Sequence, residues 1–304
     1  MLYSRRPGYC LPVVLACLIA FWGWGAAADI RGNPADLQKH FLWALEHQGK
    51  KIYILGSIHL LKEDSYPLPE AIEKIYHCCR TVVFETDLDA MEEAPAQQAM
   101  MKKALYPPGE TLARNISGDT YGLLEERLRK AGLAIDRFER FRPWYITLAL
   151  ASAELQRLGF DPRLGIDRYF FTRAAGDGRE MIFLETGEYQ MNLFAGLGKR
   201  KQERLLIQVM KELDIIEENF AEMSAYWRSG DAVRLGAFMA KSFEGYPDLY
   251  RRFITSRNKK WVSGIEGLLK KDGDVLMVVG AAHLAGKESL IDLLRQQGYE
   301  VRQR

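Results

Sequence analysis

The 304-residue chain is 48% hydrophobic and 27% charged, ordinary proportions for a globular protein with ample apolar material for a core. Its formal net charge of +2 comes from Arg5 and Arg6, in an opening stretch of 28 residues without a single acid. The remainder is balanced, so there is no electrostatic case for a nucleic-acid partner.

Read in order, the chain begins with an export signal. Arg5 and Arg6 make a positive n-region, Tyr9–Trp24 is apolar and uncharged, and Ala26-x-Ala28 offers a cleavage site before Asp29. Residues 1–28 are expected to be removed, leaving 29–304 as one domain in the periplasm or outside the cell. If retained, the segment would instead hold the protein at the inner membrane, although its apolar run falls short of the ~20 residues of a spanning helix.

Residues 41–44 and 51–57 are expected to pair as a hairpin turning at Gly49. Pro69–Arg80 has helical spacing and Thr81–Thr86 returns to β-branched residues, which makes 52–86 a strand–helix–strand crossover. Cys78 and Cys79 at that joint are adjacent, cannot close an unstrained bridge, and read as buried structural thiols. The stretch 87–115, polar and rich in Met, Ala and Pro, reads as a surface helix and loop. Amphipathic helices follow at 117–132 and 143–158, "EMIFLETGEYQ" (180–190) reads as a buried strand ending in polar residues, and 198–269 is strongly helical. Strand 275–280, helix 286–297 and a last short strand, "YEVRQ", complete the chain. The expected fold is α/β, a central mixed sheet built from two similar strand–helix–strand halves with a largely helical middle segment.

Both halves deliver a histidine in the same way. "IYILGSIHLLKED" (52–64) and "VLMVVGAAHLAGKES" (275–289) each run from an apolar strand into Gly-x-x-His-Leu. Gly56 and Gly280 permit a tight exit or close backbone approach, and His59 and His283 then emerge at strand ends, where open α/β folds put their sites. The chain has five histidines, and two in one context point to a shared site. Two imidazoles and a carboxylate make a common hydrolytic metal centre. Glu85 in "VVFETD" and Glu185 in "IFLETGEYQ" both close strands, so one can ligate and the other serve as general base, in either assignment. Arg257 in "RNKKW" offers a clamp for a substrate carboxylate or an oxyanion. No H-E-x-x-H, EF-hand loop, P-loop or G-x-S-x-G elbow occurs.

The spaced pair "GSIHLL" and "GAAHLAG", with "FETD" between them, resembles the TraB/GumN family, which includes the animal Tiki proteins. "RPWY" (142–145), "GIDRYF" (165–170), "LETGEYQ" (184–190) and "RNKKW" (257–261) follow the family's order, so the resemblance covers nearly all of residues 40–302. It implies a metal-dependent peptidase with His59, His283 and Glu85 on a divalent ion (Mn, Co or Zn) and a peptide or protein substrate. Glu185, Arg257 and Asn258 would lie close by, with Asp167 shaping the same edge. On that reading Glu185 takes a proton from water and Arg257 steadies the oxyanion. The wider superfamily includes erythromycin-esterase-like and haem-binding ChaN-like proteins. Kinship with these implies an alternative, a periplasmic protein that binds a peptide or haem-like ligand without turning it over.

Overall fold

A computed structural model describes residues 39–304. Residues 1–28, where the export signal is expected, lie outside them, and among the described residues no helix is long and apolar enough to cross a membrane. At the centre is a six-stranded mixed sheet: β1 (Leu42–His47), β2 (Lys50–Ser57), β3 (Cys79–Phe84), β4 (Glu180–Phe183), β5 (Asp274–Gly280) and β6 (Glu300–Gln303). Their order across the sheet is β4-β3-β5-β2-β1-β6. β1 runs antiparallel to both its neighbours, while β2, β5, β3 and β4 pair in parallel. β5 is buried from Val275 to Gly280 and β3 from Thr81 to Phe84, which is why each reads as an uninterrupted apolar run rather than an alternation.

The hairpin turns through Gln48 and Gly49, both with positive φ, the conformation a two-residue turn needs to match strand twist. The two strand–helix–strand halves are interleaved. β2 leaves through helix Glu70–Cys78 and returns as β3 on the far side of β5. β5 leaves through helix Leu290–Gln296 and returns as β6 beyond both β2 and β1. The two Gly-x-x-His strands therefore lie side by side, with Gly56 opposite Val279 and Ser57 opposite Gly280.

Three local expectations change. Residues 87–115 form helices Leu88–Glu92, Ala94–Ala104 and Leu112–Asn115, and they bury Leu88, Met91, Met100, Ala104 and Leu112. Leu112 belongs to a second apolar cluster with Tyr106, Leu124, Leu128, Ile146 and Leu206, so this stretch is partly core. The strand at 180 stops at Phe183, because Thr186 caps a helix at Gly187–Ala195 by accepting from the Tyr189 N–H. Of the paired cysteines only Cys79 is buried; Cys78 is exposed.

Gly56 sits inside β2, so its value lies in close approach rather than in a turn. A Cβ there would come 2.5 Å from Phe41 Cδ1 and 3.1 Å from the Ala281 Cα. The Gly56 carbonyl accepts from Trp227 Nε1 at 2.7 Å, so the strand cannot simply slide away. Gly56→Ala is expected to cost about 1–3 kcal/mol through overpacking, read as a lower urea midpoint at unchanged slope.

Candidate active site

Four neighbouring strand ends supply the site. His59, His283 and Glu85 follow β2, β5 and β3, and the β3–β4 ladder continues past the strands through Leu184 N–H to Phe84 O (3.0 Å) and Glu185 N–H to Glu85 O (2.8 Å). This continuation sets the two glutamates side by side. His59, Glu85, Asp167 and Glu185 are all buried, and Arg257, Asn258 and His283 are wholly inaccessible.

Each histidine is gripped at Nδ1 by a helix. His59 Nδ1 lies 2.8 Å from Asp167 Oδ1, on helix Ile166–Gly176, a close ionic contact. His283 Nδ1 donates to Asn258 Oδ1 at 2.7 Å, and Asn258 Nδ2 donates in turn to the Glu288 carbonyl at 2.9 Å. A ring held at Nδ1 presents Nε2 in a fixed direction. For His59 that Nε2 is buried without a hydrogen-bond partner. For His283 it accepts from Arg257 Nη1 at 2.9 Å.

Arg257 binds nearly everything else in the site. Nε donates to Glu185 at 3.0 Å, Nη2 to Glu185 Oε2 at 2.7 Å and to Glu85 Oε2, and Nη1 to the Phe253 carbonyl at 3.3 Å as well as to His283. A guanidinium has five N–H donors, and all five are used here, so in this arrangement none remains for an oxyanion. Glu185 also accepts from Trp261 Nε1 at 3.1 Å and from Gln190 Nε2 at 3.4 Å. Its side chain is sealed from solvent and acts as counter-ion to Arg257. Gln190 also donates to Glu85 Oε2 at 3.1 Å. Gln190 and Trp261 were not singled out from sequence. The available signal for Trp261 was its place one helical turn after Arg257; its ring centroid lies 4.8 Å from that guanidinium and 4.4 Å from the His283 ring.

The charges follow from these contacts. Burial pushes the Glu85 carboxyl up, but Arg257, His283, His59 and the Gly280 N–H together outweigh it and hold the group at about 2. Burial and the neighbouring Arg257 push His283 well below the ordinary histidine range, so its ring is neutral with Nε2 bare. Burial pushes His59 down as well, but Asp167 and then Glu85 outweigh it and raise the ring above its ordinary value.

The donors meet at Gly280. Its N–H donates to Glu85 Oε1 at 2.7 Å, and a Cβ there would lie 3.3 Å from Glu85 Oε1, 3.4 Å from His59 Nε2 and 3.7 Å from His283 Cδ2. On the side of His59 and Glu85 is a cavity of about 20 Å³, lined also by Asp167, Gln190 and Val278 but not by Gly280 or His283, with room for about one water. Among the described residues no three His, Cys, Asp or Glu side chains are already spaced about one point as ligands of an ion. The donor chemistry nonetheless suits a divalent cation. The buried His59 Nε2 has no hydrogen-bond partner, and three carboxyl groups (Glu85, Asp167, Glu185) stand against one guanidinium.

Residues 41–303 match the family model for the TraB/PrgY/gumN family. The chain is 24% identical over 272 residues to the YbaP protein of Escherichia coli (strain K12), covering 88% of this chain and 96% of that protein. It is 23% identical over 351 residues to Metalloprotease TIKI2 of Danio rerio, covering 94% of this chain and 67% of that protein. Against Metalloprotease TIKI2 of Xenopus tropicalis identity is 25% over 315 residues, with coverage of 86% and 59%. No solved structure matches significantly. With the family model spanning the sheet, both Gly-x-x-His turns and every residue of the buried network, the chain belongs to the TraB/PrgY/gumN family.

Proposed function

We propose that the protein is an exported, metal-dependent hydrolase of peptide bonds, its reaction centred where His59 and Glu85 approach Gly280 and line a small cavity. The observation that carries the reading is the convergence of His59 Nε2, Glu85 Oε1 and the His283 ring on that one glycine. The likeness to proteins named metalloproteases supports the same class of chemistry. His59, Glu85 and His283 would hold the ion, which when bound polarises a carbonyl and acidifies a water.

The chain's own residues divide the remaining work. Asp167 and Asn258 aim the two imidazoles, Gln190 and the Gly280 N–H fix the Glu85 carboxylate, and the buried walls keep bulk water from the centre. Glu185 is occupied by Arg257, Trp261 and Gln190, so in this arrangement Glu85 is the glutamate that faces the cavity. The cavity's size argues against haem as resident ligand. Export and a peptide or protein substrate are part of the proposal, the first resting on residues 1–28.

Protein purified without chelator or His-tag and offered Mn²⁺, Co²⁺ or Zn²⁺ is expected to hold about one ion per chain by elemental analysis. His59→Ala and His283→Ala should lose both the ion and peptide cleavage; full activity in either variant would sink the scheme.

The pH dependence has a defined sign. Because His59 is raised by Asp167, its Nε2 stays protonated to higher pH than an ordinary histidine and becomes a donor pair only above that point. Ion uptake and cleavage should therefore rise with pH through the His59 transition. Asp167→Asn removes the raising charge, so the acid limb should move to lower pH while ion affinity falls about 10–100-fold, the usual cost of losing such a partner. An unmoved limb would mean that the contact does not govern His59.

A further inference from the structure

Of the two imidazoles offered to an ion, one is open and the other is not. The His283 ring spends its only N–H on Asn258 Oδ1, which leaves a single lone pair on Nε2, and that lone pair is directed at Arg257 Nη1 at 2.9 Å. A ring nitrogen with one lone pair cannot accept an N–H and ligate a metal together. Glu85 is not blocked in this way, since Oε1 accepts from the Gly280 N–H and a carboxylate oxygen keeps a second lone pair.

We infer that Arg257 and the divalent ion are alternative partners of His283, so that the guanidinium is the site's built-in cation and uptake of the ion releases Nη1 from Nε2. The inference rests on the metal-dependent reading and deepens it by assigning Arg257 to the control of ion affinity. Two further features fit this exchange. Arg257 is anchored to Glu185 through both Nε and Nη2, so Nη1 can let go while the side chain stays in place. Nη1 also has a second acceptor, the Phe253 carbonyl, in the widened π-turn Arg251–Thr255 that immediately precedes helix Ser256–Val262. Such turns leave main-chain groups outside the regular α pattern and are frequent at functional sites. A cation is thus present before any ion arrives, compensating carboxylates that would otherwise be buried unpaired.

The test compares Zn²⁺ binding by wild-type protein and Arg257→Gln, each stripped of metal, by titration calorimetry. Removing the competing cation should tighten binding at least about tenfold, the lower end for a close charge interaction. Uptake by the variant alone would be the extreme form of the same result. Equal or weaker binding by the variant, with the wild type binding well, would overturn the competition and leave the metal-dependent reading intact. No uptake by either protein would overturn both.

Should the variant fail to fold, wild-type protein labelled with ¹⁵N-histidine decides. The His283 Nε2 resonance should move on Zn²⁺ addition while Nδ1 keeps its proton. An Nε2 signal unmoved by bound Zn²⁺ would overturn the inference.

Discussion

A guanidinium cut off from water has to find an acceptor for each of its N–H groups, and one edge of this sheet is arranged round a guanidinium that does. Arg257 reaches the carboxylates that follow β3 and β4, the imidazole that follows β5, and a carbonyl of the π-turn before its own helix. Losing one of these partners would strand a buried charge, which is far costlier than losing a surface ion pair. The network therefore fixes three strand ends and a helix relative to one another. A stable sheet edge and a charged, pre-arranged site are here the same set of contacts.

The two histidines are held alike and used differently. Each is gripped at Nδ1 by an acceptor from a helix, Asp167 for His59 and Asn258 for His283. The acceptors differ in charge, and that difference propagates to the rings. The carboxylate beside His59 overrides the effect of burial and raises the ring, whereas the uncharged amide beside His283 leaves burial and Arg257 to depress it. Two copies of one sequence motif thus end as two chemically distinct imidazoles, 224 positions apart in the chain and next to the same glycine in space.

Much of the frame was legible because buried strands announce themselves. Residues 52–57 and 275–280 are apolar runs that end in glycine and histidine, and such runs belong to strands covered on both faces. Glu85 could be placed at a strand end for the same reason, whereas the short strand before Glu185, expected to be buried, is only partly so. The insertion of β5 between β2 and β3 was not legible, since strand order depends on pairings between residues far apart in sequence. Nor was the inward turn of "RNKKW". Lys259 and Lys260 are exposed and give the run a solvated look, while Arg257, Asn258 and Trp261 share the hidden side of the same helix. Arg257 could be singled out in that run as a clamp, but the sequence carried no sign that its N–H groups would meet two carboxylates, an imidazole and a carbonyl. The core contribution of the helices at 88–115, expected only as a surface helix and loop, escaped because methionine and alanine, unlike β-branched residues, do not mark core by composition alone.

The interleaving of the two halves bears on how the protein comes into being. A chain emerging from its N terminus presents β2 and β3 early, yet these strands are not neighbours in the sheet; β5 must enter between them. Pairings of such long range form late, because loop closure has to be met before contacts reward it. Glu85 and Glu185 can line up on the β3–β4 ladder beforehand, but the backbone N–H that grips Glu85 and the second imidazole arrive only with residues 274–283. A ribosome-bound, incomplete chain consequently has no assembled centre, and damage that removes the last segment erases the site along with the middle of the sheet.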